Sequence, residues 1–245
     1  MADSILDKMR KEWDARAKEN ARYYVNTERA DWTDEDFFKS GERTVAEEIL
    51  TDMGNICQGK EPGQMRVLEI GCGAGRVTRA LSGLFGEVHA VDVSGEMIAQ
   101  ATAALADRPN AHVYQNNGTD LSCVPDLPFD FAFSTIVFQH IPSREVIETY
   151  VREVSRLLTP GRLFKFQVQG YTGMHPADDD TGSVKQLATL AFKKYTGMQP
   201  ANDDTWLGVS YTDAQAVAMA ERCGFEPRHR HGAGEQYFWL WFFKR

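Results

Sequence analysis

Short apolar runs and amphipathic stretches alternate along the middle of the chain. Runs typical of buried strands lie at 66–70, 87–91, 112–115, 129–135 and 163–168. Between them, apolar residues recur with helical spacing at 76–84 and 95–106, and most clearly at 146–158, where Ser143 is the expected cap. Strands that alternate with helices at this spacing predict βαβ units and therefore a parallel sheet.

The last part of the chain carries a different pattern. A helix is predicted over 212–223, with Thr212 as its N-cap and Gly224 just past its end. Two further strands, 225–230 and 236–243, follow with only a short joint between them. So short a joint allows only an antiparallel hairpin. The pattern therefore predicts an α/β fold with seven strands, the last two of which form the hairpin.

The first 60 residues are predicted to form a helical cap ahead of the first strand. Apolar residues recur at helical spacing through most of this segment. Thr33 is placed to cap a short turn that Gly41 ends, and a second amphipathic helix is predicted at 44–53. A turn cluster at 59–63 closes the segment. The whole chain, 1–245, is interpreted as one domain with elaborations.

The composition narrows the class of protein. Of the 245 residues, 42% are hydrophobic and 11% are aromatic, which is enough for a substantial core. A net charge of −8 argues against non-specific binding to nucleic acid or to anionic membranes, which need a basic face. The N-terminus is too charged for a signal peptide, and no apolar run approaches the ~20 residues of a membrane span. We therefore expect a soluble, cytoplasmic monomer or homodimer that binds neither nucleic acid nor membrane.

An acidic segment occurs twice, as YTGMHPADDDT at 171–181 and as YTGMQPANDDT at 195–205. A helix predicted at 183–194 lies between the copies, so either a tandem duplication or similar turn chemistry at both helix ends accounts for the repeat. A metal site is the less favoured interpretation, because the fourth strand ends in Ser-Thr rather than in carboxylates. The four dispersed cysteines show no zinc-ligand spacing, and we expect no bound metal.

A glycine-rich turn follows the first predicted strand. Gly71, Gly73 and Gly75 lie where that strand meets its helix, and glycines there let backbone N–H groups approach a ligand closely. Asp92 ends the second strand, 21 residues past Gly71, where its carboxylate can accept hydrogen bonds from a ribose diol. Dinucleotide enzymes share this combination. However, the third glycine comes one residue early for G-x-G-x-x-G, and Glu69 precedes the turn.

Four motifs carry a family resemblance by their order and spacing: VLEIGCGAGR at 67–76, VDVSGEMI at 91–98, FDFAFSTIVFQHIPS at 129–143 and LLTPGRLF at 157–164. From 67 to 245 the chain resembles the class I S-adenosylmethionine-dependent methyltransferases. The resemblance implies a Rossmann-like, seven-stranded, mostly parallel sheet with helices on both faces. It also implies S-adenosylmethionine as cofactor, with direct transfer of its methyl group to a small-molecule acceptor. Because the segment after the fifth strand often covers the acceptor in this family, 171–208 is predicted to be a lid.

The resemblance also assigns residues to the cofactor. It matches the glycine turn to the methionine half, Asp92 to the ribose hydroxyls, and Val93 and Met97 to the adenine. Asn117 replaces an aspartate that such families often place near the adenine amino group, and it keeps an acceptor oxygen without the charge. Thr135 matches the residue beneath the sulfonium. The expected cofactor-binding residues are Glu69, Gly71, Cys72, Gly73, Gly75, Asp92, Val93, Met97, Asn117, Gly118 and Thr135.

His140 and four aromatic residues are the candidates on the acceptor side. His140 follows the fourth strand, where an imidazole of pKa ~6.5 can take a proton from an attacking hydroxyl. The alternative is a structural histidine that packs beneath the cofactor or caps the next helix. Tyr24, Phe38, Trp206 and Tyr211 are expected to line the acceptor pocket and stack on the sulfonium, with core packing as the alternative for each.

The sequence leaves the acceptor atom open, with oxygen favoured over nitrogen. Two other functions stay as alternatives. One is an NAD-dependent oxidoreductase, which the early third glycine and the hairpin disfavour. The other is a catalytically silent regulator that binds S-adenosylmethionine, which the intact glycine turn and the position of His140 disfavour.

Overall fold

A computed structural model describes residues 5–171 and 208–245 of the chain. The described strands form one seven-stranded sheet in the order β3-β2-β1-β4-β5-β7-β6. β1 runs parallel to β2 and β4, β2 runs parallel to β3, and β6 and β7 are antiparallel. The strands are β1 (Arg66–Ile70), β2 (Glu87–Asp92), β3 (Ala111–Gln115), β4 (Phe129–Ser134), β5 (Leu158–Gln169), β6 (Phe225–His231) and β7 (Tyr237–Lys244). The predicted α/β fold, with its mostly parallel sheet and C-terminal hairpin, is confirmed.

Helices surround this sheet, and several begin at the predicted caps. The hydroxyl of Thr33 accepts from the Asp36 N–H, that of Ser143 accepts from Val146, and Thr212 forms a capping box with Gln215. The described α-helices are α1 (Ile5–Val25), α2 (Asp34–Glu48), α3 (Met53–Cys57), α4 (Arg76–Ser82), α5 (Gly95–Ala104), α6 (Arg144–Leu157) and α7 (Asp213–Arg222). The helical character predicted for the first 60 residues is found in α1 to α3.

The prediction that Gly41 ends a short turn is wrong, because α2 continues through it to Glu48. A Cβ at Gly41 would overlap the backbone oxygen of Arg76, the first residue of α4. The glycine therefore lets α2 pack closely against α4. The close approach offsets the roughly 1 kcal/mol by which glycine disfavours a helix interior relative to alanine.

The boundary between α6 and β5 also differs from the prediction. Pro160 and Gly161 were expected to stop the helix ahead of a strand at 163–168, yet β5 already begins at Leu158 and contains both. Gly161 has a φ of 83°, in the left-handed region that glycine tolerates. The Pro-Gly pair is therefore accommodated inside the strand rather than between two elements.

The chain divides into two compact units, Met1–Phe133 with Arg156–Leu163, and Ser134–Ser155 with Phe164–Arg245. In the first unit, consecutive residues of β1 and β2, such as Val67 and Leu68, are fully buried, so both faces of these strands are covered. In the second, Phe164 and Phe166 stack with ring centroids 4.2 Å apart, and Phe242 meets Phe166 edge-on at 5.0 Å. Burying one such side chain contributes about 1.5–3 kcal/mol to folding.

Two predictions about the chain as a whole have different outcomes. Among the described residues, no helix combines the length and the apolar character that crossing a membrane requires. The lid predicted at 171–208, and with it the two acidic repeats, lies almost entirely outside the described residues. The interpretation of 1–245 as one domain stays a prediction.

Candidate functional site

The glycine turn after β1 is held by backbone hydrogen bonds to β2. Gly71 and Cys72 both donate to the Val91 carbonyl, at 2.8 and 3.0 Å. Gly71, Gly73 and Gly75 have φ values of 78°, 51° and 83°, all in the left-handed region that disfavours other residues. The glycines at these three positions are therefore required by the backbone path of the turn itself. Cys72 is buried within the turn, and burial raises the pKa of its thiol well above the ordinary value.

The carboxylate of Asp92 joins the glycine turn to the start of α5. Its Oδ2 accepts from the Gly73 N–H and its Oδ1 from the Ser94 N–H, both at 2.9 Å. Burial raises the pKa of Asp92 from 3.8 to about 6, against the effect of these hydrogen bonds. A carboxylate oxygen can accept more than one hydrogen bond, so each oxygen keeps acceptor capacity for a ligand hydroxyl. Asp92 can hold a diol without releasing the turn.

Glu69 is a second carboxyl group beneath the same turn. It is 3% exposed, and its Oε2 accepts from the hydroxyl of Thr78 at 2.6 Å. Burial raises the pKa of Glu69 from 4.5 to about 7, although the Thr78 hydrogen bond and the charge of Arg76 act in the opposite direction. Glu69 is therefore close to half-ionised at neutral pH, and a bound cationic group would favour its charged form.

The N-terminal helix α1 runs over the carboxyl ends of β1, β2 and β3. Near its start, Met9 comes within 3.4 Å of where a Cβ on Gly118 would lie. In its middle, the Asp14 carboxylate accepts from the Ser94 hydroxyl at 2.6 Å. At its end, a methyl group of Val25 would lie 2.5 Å from a Cβ on Gly73. The helix therefore covers the glycine turn and the ends of β2 and β3.

Two residues of α1 that sequence reasoning missed lie at this site. Asp14 and Val25 follow no recognised motif, and helical periodicity alone does not say which surface a helix will cover. Of the residues expected at the adenine, Met97 is 1% exposed and belongs to an apolar cluster that includes Ala17 and Ala21 of α1. Val93 lies beneath the same helix, near Gly118.

After β3, Asn116 and Asn117 differ in burial and in their contacts. The side chain of Asn117 is exposed and is used within its own turn, since its Oδ1 accepts from the backbone of Thr119 and Asp120 at 2.8 and 3.0 Å. Asn116 is 5% exposed, and its backbone N–H donates to the Asp92 carbonyl at 3.0 Å. The NNG sequence does not by itself distinguish the two amides.

Two of the aromatic residues expected at the acceptor lie on the helical cap. The Tyr24 hydroxyl donates to Glu19 at 2.8 Å, and its ring is only part-buried. Phe38 packs beneath the guanidinium of Arg79, 5.3 Å from the ring centroid, and against the cluster that contains Phe37. These contacts suit the alternative of helix packing. Trp206 lies outside the described residues.

In the second unit, a relay of hydrogen bonds runs from the end of β4 to His140. The Oε1 of Gln167 accepts from the Ile136 N–H at 3.2 Å and lies 3.5 Å from the Thr135 hydroxyl. Its Nε2 donates to Gln139 Oε1 at 2.8 Å, and Gln139 Nε2 lies 3.3 Å from His140 Nε2.

The direction of this relay follows from its first member. A backbone N–H can only donate, so the Ile136 N–H identifies the Gln167 oxygen as its acceptor, and Gln167 must in turn donate to Gln139. The Gln139 amide is then left to donate to His140. His140 Nε2 is therefore an acceptor, and the ring proton of the neutral imidazole is on Nδ1. His140 is 8% exposed, so its lone pair at Nε2 is already engaged inside the protein.

Ile136 has a strained backbone at the end of β4. Its φ is 56°, although a β-branched side chain disfavours the left-handed region by about 1–2 kcal/mol. Its side chain is 38% exposed. Such strain persists where the surroundings determine the backbone, as the Gln167 hydrogen bond does here, and it is common at functional sites.

Tyr211 is buried rather than presented to solvent. It is 1% exposed, and the guanidinium of Arg144 lies 5.7 Å from its ring centroid. Its hydroxyl has no hydrogen-bond partner among the described residues. Burial raises the pKa of Tyr211 above its ordinary value. Tyr211 therefore fits core packing better than a solvent-facing pocket wall.

Comparison with known proteins agrees with this geometry. The sequence pattern of the family described as "Methyltransferase domain" matches residues 67–161, which run from β1 into β5. An uncharacterized methyltransferase of Staphylococcus carnosus (strain TM300) is 29% identical over 116 residues, which are 47% of this chain. The chain spans about half of that relative, since the match covers 50% of its length. The resemblance of the chain to the class I S-adenosylmethionine-dependent methyltransferases is confirmed.

Solved structures share the fold of this chain. The DhpI–SAH complex has a TM-score of 0.61 at 20% identity, and covers 100% of this chain and 98% of that one. Magnesium protoporphyrin IX methyltransferase from Synechocystis PCC 6803, with bound SAH, has a TM-score of 0.65 at 16% identity over 99% and 100% of the two chains. At these identities the likeness concerns the fold.

A cleft of about 700 Å³ lies at the opposite end of these strands. Arg66 and Glu87, the first residues of β1 and β2, line it together with Lys60 and Asp130, which form an ion pair at 2.8 Å. Asp92 and the glycine turn lie at the carboxyl ends of the same strands. In parallel α/β sheets ligands bind at those carboxyl ends, so we place the functional site at Asp92 rather than in the cleft.

Proposed function

We propose that the protein is an S-adenosylmethionine-dependent methyltransferase that acts on a small-molecule acceptor. The observation that carries the proposal is the pair of carboxyl groups next to a turn of left-handed glycines: Asp92 accepts from the Gly73 N–H, and Glu69 lies two residues before Gly71. Asp92 has acceptor capacity for a ribose diol, and Glu69 provides negative charge beneath the turn. When bound, S-adenosylmethionine supplies an activated methyl group on a sulfonium.

The residues of the chain fit this cofactor. The turn of Gly71, Gly73 and Gly75 would hold the methionine half, and Asp92 the ribose. Val93, Met97 and Gly118 would line the adenine side beneath α1, with the buried amide of Asn116 as an additional polar contact. That magnesium protoporphyrin IX methyltransferase has the same fold supports a small-molecule acceptor for this chain as well.

For the acceptor we propose an oxygen nucleophile, with nitrogen second. Thr135 and Ile136 directly follow β4, and the relay through Gln167 and Gln139 orients the His140 ring. For His140 to act as a base, its Nε2 must exchange the Gln139 hydrogen bond for a proton of the acceptor. If instead Nε2 stays bound to Gln139, the role of His140 is to orient the end of β4. Methyl transfer is then accelerated by alignment and desolvation of the acceptor alone.

Calorimetry with S-adenosylmethionine and with NAD tests the proposed cofactor. We expect binding of S-adenosylmethionine alone, weakened in Asp92→Asn by about 10- to 150-fold for each charge-assisted hydrogen bond lost, which corresponds to about 1.5–3 kcal/mol. Asp126→Asn, at a side chain that is 89% exposed, is the matched control and should bind as the wild type does. Unchanged affinity in a folded Asp92→Asn variant, or binding of NAD in place of S-adenosylmethionine, would contradict the assignment.

Transfer itself is tested with a methyl-labelled cofactor and a panel of hydroxyl, amine and carboxylate acceptors, with mass detection of the products. Methylated product and S-adenosylhomocysteine in equal amounts are expected with at least one acceptor. If S-adenosylmethionine binds but its labelled methyl group is transferred to no acceptor of the panel, the result favours the alternative of a catalytically silent regulator.

A further inference from the structure

Three potential metal ligands converge at the amino-terminal ends of β2 and β3. Glu87 and His89 are two residues apart on β2, so their side chains point to the same face of the sheet. His112 is the register partner of His89 on β3, and the two rings have centroids 4.9 Å apart. Register and alternation thus bring one carboxylate and two imidazoles together.

The distances within this cluster are close to those of a coordination sphere. Glu87 Oε1 lies 3.0 Å from His89 Nε2 and 3.7 Å from His112 Nε2, and the three ligand atoms all lie within 4.8 Å of one another. Tetrahedral zinc with bonds of about 2.0–2.2 Å places its ligand atoms roughly 3.4 Å apart. The largest separation in the cluster therefore exceeds this spacing by about 1.4 Å at most.

We propose that Glu87, His89 and His112 form a binding site for a divalent transition-metal ion such as zinc. Two imidazoles and one carboxylate are ligands that zinc accepts, and water completes the coordination. The ion would take the place that the ring proton holds between His89 Nε2 and Glu87 Oε1, and the proton of the neutral imidazole would move to Nδ1, so that no proton is lost. No sequence motif indicates this site, because its ligands are neither a cysteine motif nor an acidic turn.

Outer contacts already orient two of the ligands. His89 Nδ1 lies 3.0 Å from the Tyr114 hydroxyl, whose oxygen would accept a hydrogen bond from Nδ1–H once Nε2 binds the ion. Arg66 Nε donates to Glu87 Oε2 at 2.7 Å, which leaves Oε1 directed at the two imidazoles. The arginine charge also opposes a second cation, so the affinity should be lower than that of a site with a free carboxylate.

Solvent reaches the cluster from one side. The His112 and Glu87 side chains are 40% and 32% exposed, His89 is 3% exposed, and Glu87 lines the 700 Å³ cleft. Glu87 is the first residue of β2 and Asp92 is the last. The cluster and the proposed cofactor site are therefore separated by the length of this strand, about 16 Å. We therefore assign the ion a structural role, in which it links β3, at the edge of the sheet, to β2.

Zinc titration of untagged protein, stripped with a chelator and dialysed, tests the site. We expect one zinc ion per chain in calorimetry, and a melting temperature that rises with zinc in the wild type. His112→Ala should weaken binding by at least about tenfold and abolish the rise in melting temperature. His229→Ala is the matched control, because His229 is an exposed histidine on β6 outside the cluster.

A second variant tests the outer contact. Tyr114→Phe keeps all three ligands and should weaken zinc binding by about 10- to 100-fold. Equal zinc affinity in wild type and His112→Ala, or no binding by the wild type up to about 100 µM zinc, would overturn the proposal. Asp92→Asn should bind zinc as the wild type does, so failure of this proposal and failure of the proposed function are separate results.

Discussion

Replacing Glu69 with glutamine should stabilise the free protein, and increasingly so as the pH rises. Glu69 is buried, and its pKa is raised from 4.5 to about 7. Between these pH values the folded protein keeps a proton that the unfolded chain has released. The wild-type free energy of unfolding therefore falls with rising pH by about 1.4 kcal/mol per pH unit, or about 3 kcal/mol over the whole interval.

Glutamine has no such proton, and its amide oxygen can still accept from the Thr78 hydroxyl. Urea denaturation from about pH 5 to about pH 8 measures the difference in free energy of unfolding between wild type and Glu69→Gln. The contributions of other titrating groups are the same in both proteins and cancel in this difference. The free energy of unfolding of the variant, relative to that of the wild type, should rise by roughly 2–3 kcal/mol across this range. Above about pH 7 this difference should change little. Glu235→Gln, at an exposed carboxylate in the β6–β7 turn, is the control.

A difference that stays constant with pH would refute this reasoning, because Glu69 would then titrate alike in the folded and unfolded states. So would a Glu69→Gln variant less stable than the wild type at about pH 8, which would mean that attraction to Arg76 outweighs the burial of the carboxylate. Either result would show that ionisation of the buried Glu69 carboxyl group does not lower the free energy of unfolding.

Two further substitutions test the backbone of the fold. Gly41→Ala should lower the free energy of unfolding by about 1–3 kcal/mol in chemical denaturation, because its methyl group overlaps the Arg76 carbonyl and separates α2 from α4; a neutral result would show that the helices yield easily. Ile136→Asn should raise the melting temperature, since asparagine tolerates the left-handed region and about 1 kcal/mol of strain is relieved. A fall instead would show that the Ile136 side chain contributes packing that outweighs its strain.

Helix caps and the glycine turn depend on residues close together in the chain, and both could be predicted from the sequence. Thr33, Ser143 and Thr212 cap their helices through residues three positions away, so local sequence is enough to identify them. The glycine turn and Asp92 were found in the same way, because left-handed glycines and an acid at the end of a strand have a recognisable spacing.

Contacts between residues far apart in the chain could not be predicted from the sequence. Gly41 looked like a helix stop because the Arg76 carbonyl that requires it lies 35 positions further on. Asp14 and Val25 reach the site only because α1 crosses the strand ends, and the direction of the His140 hydrogen bond depends on Gln167 of β5.

The order of strands and helices along the chain, the helix caps and the glycine turn with its acid all follow from local sequence, because each depends on spacing within one segment. The packing of distant segments is what places α1 over that turn, buries Glu69, and brings Glu87 and His89 next to His112 on the neighbouring strand. Burial and register depend on which surfaces meet, and those contacts join residues whose separation in the chain follows no fixed period.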